Sequence, residues 1–252
     1  MNGIESSPNA PAIILSAPRL ILGAAKSLPR ALRGDLGRAV TMTFAPAFVL
    51  SLIAGRLAAQ TPAPLDTRSK GSPQAPVTVY EMSDFQCPYC RQFAVETFPQ
   101  LERDYIRTGK VRWVFINFPL TSVHQHATAA AQLGVCAAQQ RNFWRVHDLL
   151  FKYQETWAPL KEAAPFFVSL GDSVGLSKPA LLSCLQSDET LNSVRADAEG
   201  AARSGATSTP TFYIEGGLLE GAQPIEVFRQ VLDSVYKVKG GKLAPSHGGE
   251  ER

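Results

Sequence analysis

Cysteine is scarce in this chain. There are four in 252 residues, alongside four histidines, and only Cys87 and Cys90 stand close together. Structural zinc takes four Cys/His ligands, usually from paired knuckles. Cys136 and Cys184 are isolated in helical contexts, and His124 and His126 lie apart from any second Cys-x-x-Cys, so the pattern gives no metal site. A basic surplus is also missing where it would count. The formal charge of +3 belongs to the N-terminus, where residues 1–60 carry six Lys/Arg against Glu5 and Asp35. The rest holds 19 of the 25 basic and 20 of the 22 acidic side chains, which removes the electrostatic case for binding nucleic acid. No apolar run reaches the roughly 20 residues of a membrane span, and no internal repeat is visible. With 45% hydrophobic residues and ordinary charge, the chain can bury a full core.

What the N-terminus does have is a leader pattern. TFAPAFVLSLIAG begins at Thr43, preceded by Arg33 and Arg38 and followed by RLAAQ. A positive flank, a short apolar run and then small residues mark a secretory signal. Residues 1–60 therefore read as a leader, with cleavage near Ala59 and Met42 as an alternative start. An uncleaved anchor or a buried helix is the rival reading. Residues 61–75 read as a linker, 76–239 as the folded domain and 240–252 as a loose tail.

Within the domain, PVTVYEMSD alternates as a strand should, with Val77, Val79 and Glu81 on one face and Thr78, Tyr80 and Met82 on the other. CRQFAVETFPQLERDYIRTG then reads as a helix whose inner stripe is Phe93, Val95, Phe98, Leu101 and Tyr105, ended by Gly109. VRWVFINFPL, 111–120, is a buried second strand. Residues of about 122–205 are helical in texture. TFYIEG and GLLEGA form a hairpin turning at Gly216–Gly217, and PIEVFRQVLDSVYKV closes as an amphipathic helix. The order is β–α–β, a helical block, then β–β–α.

SDFQCPYC places the cysteine pair where the first strand hands over to the helix. Pro88 suits the first helical position, which makes Cys87 the N-cap. A sulfur there faces the first-turn amides and the positive end of the helix, which favours thiolate over thiol. Cys87 is the nucleophile by this reading, and Cys90, one turn on, attacks the resulting mixed disulfide. A structural 87–90 staple is a weaker reading, since so short a loop constrains the unfolded chain little.

These motifs resemble the DsbA-like branch of the thioredoxin superfamily. SDFQCPYC after a strand, VRWVFINFPL, QQRNFWRVHDLLF and GATSTPTFYIEG occur in that branch's order, over about 76–236. The resemblance implies an α/β thioredoxin fold, a central mixed sheet flanked by helices, with an inserted helical domain at about 122–205. It implies a cis Thr209–Pro210 bond facing the cysteines, whose backbone groups at Thr209 could pair with an extended substrate strand. It also implies a buried carboxylate at Glu81 that exchanges a proton with Cys90 through water. Phe85 and Tyr89 would supply apolar surface around the sulfurs. Cys136 and Cys184 would form a second disulfide, the alternative being two buried free thiols. No cofactor is implied, and His124 and His147 receive no catalytic role.

For function, the resemblance implies a protein thiol:disulfide oxidoreductase acting in the periplasm or cell envelope, tethered to the membrane if the leader is uncleaved. Its clients would be unfolded or cysteine-containing exported polypeptides, and a membrane redox partner would reoxidise it. The helical block favours a monomeric oxidase. The Pro88-Tyr89 dipeptide of CPYC does not settle direction, so a disulfide isomerase or reductase stays open, as does a chaperone of the same fold.

Overall fold

The computed structural model describes residues 64–240; the leader and the end of the tail lie outside them. A five-stranded mixed sheet runs, in spatial order, β1 (Ser69–Lys70), β3 (Val111–Asn117), β2 (Val77–Ser83), β4 (Thr211–Ile214) and β5 (Gly217–Glu220). β2 (Val77–Ser83) and β3 (Val111–Asn117) run parallel, as a β–α–β crossover requires, with Glu81 opposite Phe115 and Ser83 opposite Asn117. β4 (Thr211–Ile214) lies antiparallel to β2, and β5 (Gly217–Glu220) antiparallel to β4. The hairpin turns one residue earlier than the Gly-Gly pair suggested. Glu215 (φ 47°) and Gly216 (φ 98°) form the turn. Two positive φ values suit a two-residue hairpin, and Glu215 is held there by the amide of Thr78 and by Lys239 Nζ.

The expected linker is not wholly a linker. Leu65–Arg68 form a 3-10 turn, and β1 (Ser69–Lys70) pairs antiparallel with β3 at the sheet edge. Buried Arg68 makes a two-nitrogen ion pair with Asp197, which also accepts the Asn117 side-chain amide at 2.7 Å. That pairing compensates the charge of a guanidinium that would otherwise be costly to bury, while its Nε keeps no partner.

The crossover helix is continuous but not uniformly α. α1 (Pro88–Gln92) runs into a wide π turn at Phe93–Thr97, then α2 (Phe98–Leu101), then a second π turn at Glu102–Ile106. Pro99 has no N–H and its ring crowds the carbonyl four residues back, a conflict that widening the preceding turn relieves. Phe93 and Phe98, five apart, thereby share the inner face and pack on Trp113 at 5.8 and 5.3 Å between ring centroids. Val95, expected inside, is 50% exposed for the same reason.

Val77, Val79, Trp113, Phe212 and Ile214 line the sheet face covered by this helix and by α9 (Ile225–Val238), which contributes Phe228 and Leu232. Between β3 and β4 come α3 (Ala127–Gln139), α4 (Phe143–Lys152), α5 (Gln154–Trp157), α6 (Ala164–Ser173), α7 (Lys178–Leu185) and α8 (Asp188–Arg203). They enclose a second core that reaches Phe85 and Phe115. Cys136 of α3 and Cys184 of α7 are joined by a disulfide inside it. Among the described residues, no helix is long and apolar enough to cross a membrane.

Candidate active site

The strand β2 ends at Ser83, and the next four residues turn the chain into α1. Asp84, fully buried, organises that turn. Its carboxylate accepts the amide of Gln86 at 2.7 Å, the amide of Leu120 at 2.8 Å and a contact with His124 Nδ1 at 2.7 Å. The Asp84 carbonyl accepts the amide of Cys87 at 3.1 Å. From the insertion, Gln154 of α5 donates to the carbonyls of Phe85 at 2.7 Å and Cys87 at 2.9 Å. The loop that carries Cys87 is thus held from both sides.

Cys87 is the N-cap of α1 with extended backbone (φ −72°, ψ 126°) and Pro88 follows as the first helical residue. Its carbonyl accepts the amide of Arg91 at 3.1 Å. The anticipated bond from the first-turn amides to the sulfur is not made. The thiol instead donates to the carbonyl of Thr209 at 3.4 Å across the cis Thr209–Pro210 bond. The Cys87 pKa is lowered to about 6, chiefly because the Cys90 thiol hydrogen-bonds to it; burial opposes this, the Thr209 side chain assists, and the amides of Cys90 and Tyr89 contribute less. The helix end is a minor cause. Thr209 Oγ1 is buried with no partner in this dithiol form, free to donate to a thiolate.

Cys90 is fully buried, and its pKa is pushed well up by desolvation and by the hydrogen bond and charge of Cys87. Its sulfur accepts the amide of Asp84 at 3.5 Å. One sulfur is therefore largely ionised at neutral pH and the other holds its proton, the asymmetry that dithiol–disulfide exchange uses.

Other expected residues fall less neatly. Phe85 is 1% exposed and stacks on Phe115 at 4.9 Å. It is a core residue beneath the loop, and does not offer surface to a client as expected. Tyr89, at 64%, is open to solvent. Glu81 is buried completely. It accepts the Trp113 indole N–H at 2.8 Å, and its other oxygen has no partner. No hydrogen bond joins it to either cysteine. Its pKa is raised by desolvation, against smaller lowering effects of His147, Trp113 and Ser83.

That shift carries a sign for stability. A carboxyl whose folded pKa lies above the ordinary value of 4.5 holds its proton longer folded than unfolded. Stability then falls as pH rises through that window. Glu81→Gln, which keeps the shape and an acceptor for Trp113, is expected to raise Tm at neutral pH. The gain should fade below about pH 4.5, where Glu81 is neutral in both states. Thermal melts from pH 4 to 8 measure it, and equal Tm shifts at both ends would contradict the assignment.

Asp84 and Gln154 were not singled out from the sequence. Asp84 carries a local signal, an Asp whose side chain caps the amide two residues on ahead of a helix. Gln154 is 67 or more residues from the carbonyls it holds and carries none.

A thioredoxin family model matches residues 65–234. The probable disulfide bond formation protein D of Bacillus anthracis is 31% identical over 155 residues, covering 60% of this chain and 70% of that protein. The chain belongs to the DsbA-like branch of the thioredoxin superfamily. The crystal structure of alpha-DsbA1 from Wolbachia pipientis superposes with a TM-score of 0.62 at 23% identity, over 68% of this chain and 92% of that one. That likeness establishes the DsbA-like fold. A Na(+)/H(+) antiporter, NhaA 3 of Salinispora tropica, is 32% identical over 181 residues, 72% of this chain. This chain spans about a quarter (26%) of the antiporter's length.

Proposed function

We propose that this DsbA-like protein is an exported thiol:disulfide oxidoreductase whose CPYC pair oxidises cysteines of exported polypeptides. The observation that carries the reading is the contrast between Cys87, with a pKa of about 6, and the protonated, buried Cys90. A stabilised Cys87 thiolate favours the reduced form, and a comfortable reduced form makes the disulfide an oxidant.

In the proposed cycle a client thiolate attacks Cys87 Sγ of the Cys87–Cys90 disulfide. The client–Cys87 bond forms, the bond to Cys90 breaks, and Cys90 takes up a proton, drawn from the buried carboxyl of Glu81. A second client thiolate then attacks the client sulfur of the mixed disulfide. The client gains its disulfide and Cys87 departs as a thiolate. An extended client segment would lie along the backbone of Thr209, whose carbonyl is already within 3.4 Å of Cys87 Sγ. A membrane redox partner would return the pair to the disulfide. Export rests on the leader of residues 1–60, with the chain acting as a monomer in the periplasm or cell envelope and tethered where the leader is retained.

Titration of the purified protein in glutathione buffers, read by mass after alkylation, tests the direction. A potential of about −180 to −120 mV is expected, between that of disulfide isomerases and that of strong oxidants. A value near about −270 mV, as in reducing thioredoxins, would overturn the oxidase reading. No exchange at all, with client aggregation still suppressed, would favour the chaperone.

A further inference from the structure

The proposed cycle sends a proton to Cys90, and the inference here rests on that reading and supplies the proton's route. When the disulfide opens, the electron pair of the S–S bond stays on Cys90 Sγ, which is sealed from solvent. Glu81 is the buried acid with an unpaired oxygen, yet no hydrogen bond links the two. Glu81 and Ser83 are two apart on β2 and so project from the same face. Cys90 Sγ accepts the amide of Asp84, the residue that follows Ser83, at 3.5 Å. The sulfur therefore sits at the Ser83 end of the strand, with Glu81 farther along it.

Two atoms on this line are buried and unpaired: Ser83 Oγ and Glu81 Oε1. Such atoms are rare in folded proteins and call for a reason. The Ser83 hydroxyl also lowers the pKa of both Glu81 and Cys90, so it is within reach of both charged forms. We propose that Ser83 Oγ relays the proton between the Glu81 carboxyl and the Cys90 sulfur.

A hydroxyl can donate and accept at once, which the step requires. As the client–Cys87 bond forms and the Cys87–Cys90 bond breaks, the Ser83 O–H proton passes to Cys90 Sγ. The Glu81 carboxyl proton passes to Ser83 Oγ. The products are a Cys90 thiol, an intact Ser83 hydroxyl and a Glu81 carboxylate. Reoxidation runs the same transfers backward. The groups facing this path are few. Trp113 of β3 donates to Glu81, and His147 of α4 acts on it electrostatically while its own Nδ1 contacts Asp148 at 2.8 Å. Cys90 faces Cys87 and the Asp84 amide, and the Asp84 carboxylate is taken up by His124, Gln86 and Leu120. Asn117, opposite Ser83 on β3, is neutral.

The test is stopped-flow cleavage of the Cys87–Cys90 disulfide by dithiothreitol across pH, with rates normalised to dithiothreitol thiolate. Ser83→Ala should be slower by about tenfold or more at neutral pH, part of the range general acid catalysis supplies. Ser83→Thr, which keeps the hydroxyl, should stay within about threefold of the parent. The double variant with Glu81→Gln should be no slower than Glu81→Gln alone. The parent's normalised rate should fall as pH rises through the Glu81 pKa, and Ser83→Ala should lose that limb, which a purely structural serine would leave in place. Should Ser83→Ala not fold, Ser83→Val, which matches Ser83→Thr in shape and suits a strand, makes the same deletion. An active parent whose hydroxyl-free variant keeps both its rate within about twofold and its pH limb overturns the relay alone. A parent that exchanges no disulfide overturns the relay and the proposed function together.

Discussion

Cys87→Ala is expected to lower disulfide exchange on the order of 10³-fold or more, because it removes the proposed nucleophile itself. Cys90→Ala should behave differently, still attacking disulfides and then accumulating a mixed disulfide that nothing resolves. Iodoacetamide alkylation separates the sulfurs further. With a pKa of about 6, Cys87 is roughly nine-tenths ionised at pH 7, and the parent should alkylate there with a midpoint near that value while Cys90 stays protected. The largest cause of the lowered value is the Cys90 hydrogen bond, so the midpoint in Cys90→Ala should move up toward that of an ordinary thiol. If it stayed near 6, the Thr209 side chain and the helix amides would be the main causes after all. That measurement decides between the two physical accounts of one reactive sulfur.

Removing the second disulfide should be the largest stability effect. Cys136 and Cys184 are 48 residues apart in sequence and both are buried. In the chain-entropy account, closing a loop of that length stabilises by about 4 kcal/mol, an upper figure when the unfolded state keeps structure. For a domain of this size the double change Cys136→Ala/Cys184→Ala should lower Tm on the order of 10 °C. Exchange by Cys87 should persist below the new melting range, since neither residue hydrogen-bonds to Cys87 or Cys90. A Tm within about 2 °C of the parent would mean the bond ties segments already fixed by packing.

The β–α–β opening and the helical block were legible because their signals are local. Val77 and Val79 alternate with half-buried neighbours, and a proline after Cys87 marks a helix start. Val95 was misplaced because a 3.6-residue period assumes a uniform helix, and Pro99 forces a wider turn. Ser69–Lys70 were invisible as a strand: two residues carry no period, and pairing with β3 makes them one. At the hairpin, Gly-Gly looked like the turn, but Glu215 takes the first left-handed position with help from Thr78 and Lys239, both distant in sequence. The cap argument placed Cys87 correctly and misjudged its electrostatics, since sequence cannot say which way a sulfur points. Glu81 was recognisable by offset, but its complete burial follows from strands and helices brought together only by folding.

Gln154 has a wider implication. The side-chain amide of one residue in the inserted helices holds the carbonyls on either side of Gln86. The insertion is therefore part of the reactive centre's foundation, and the tetrapeptide's behaviour is not portable. Grafted onto a minimal thioredoxin frame, CPYC would arrive without its clamp, and its chemistry would be that of the host.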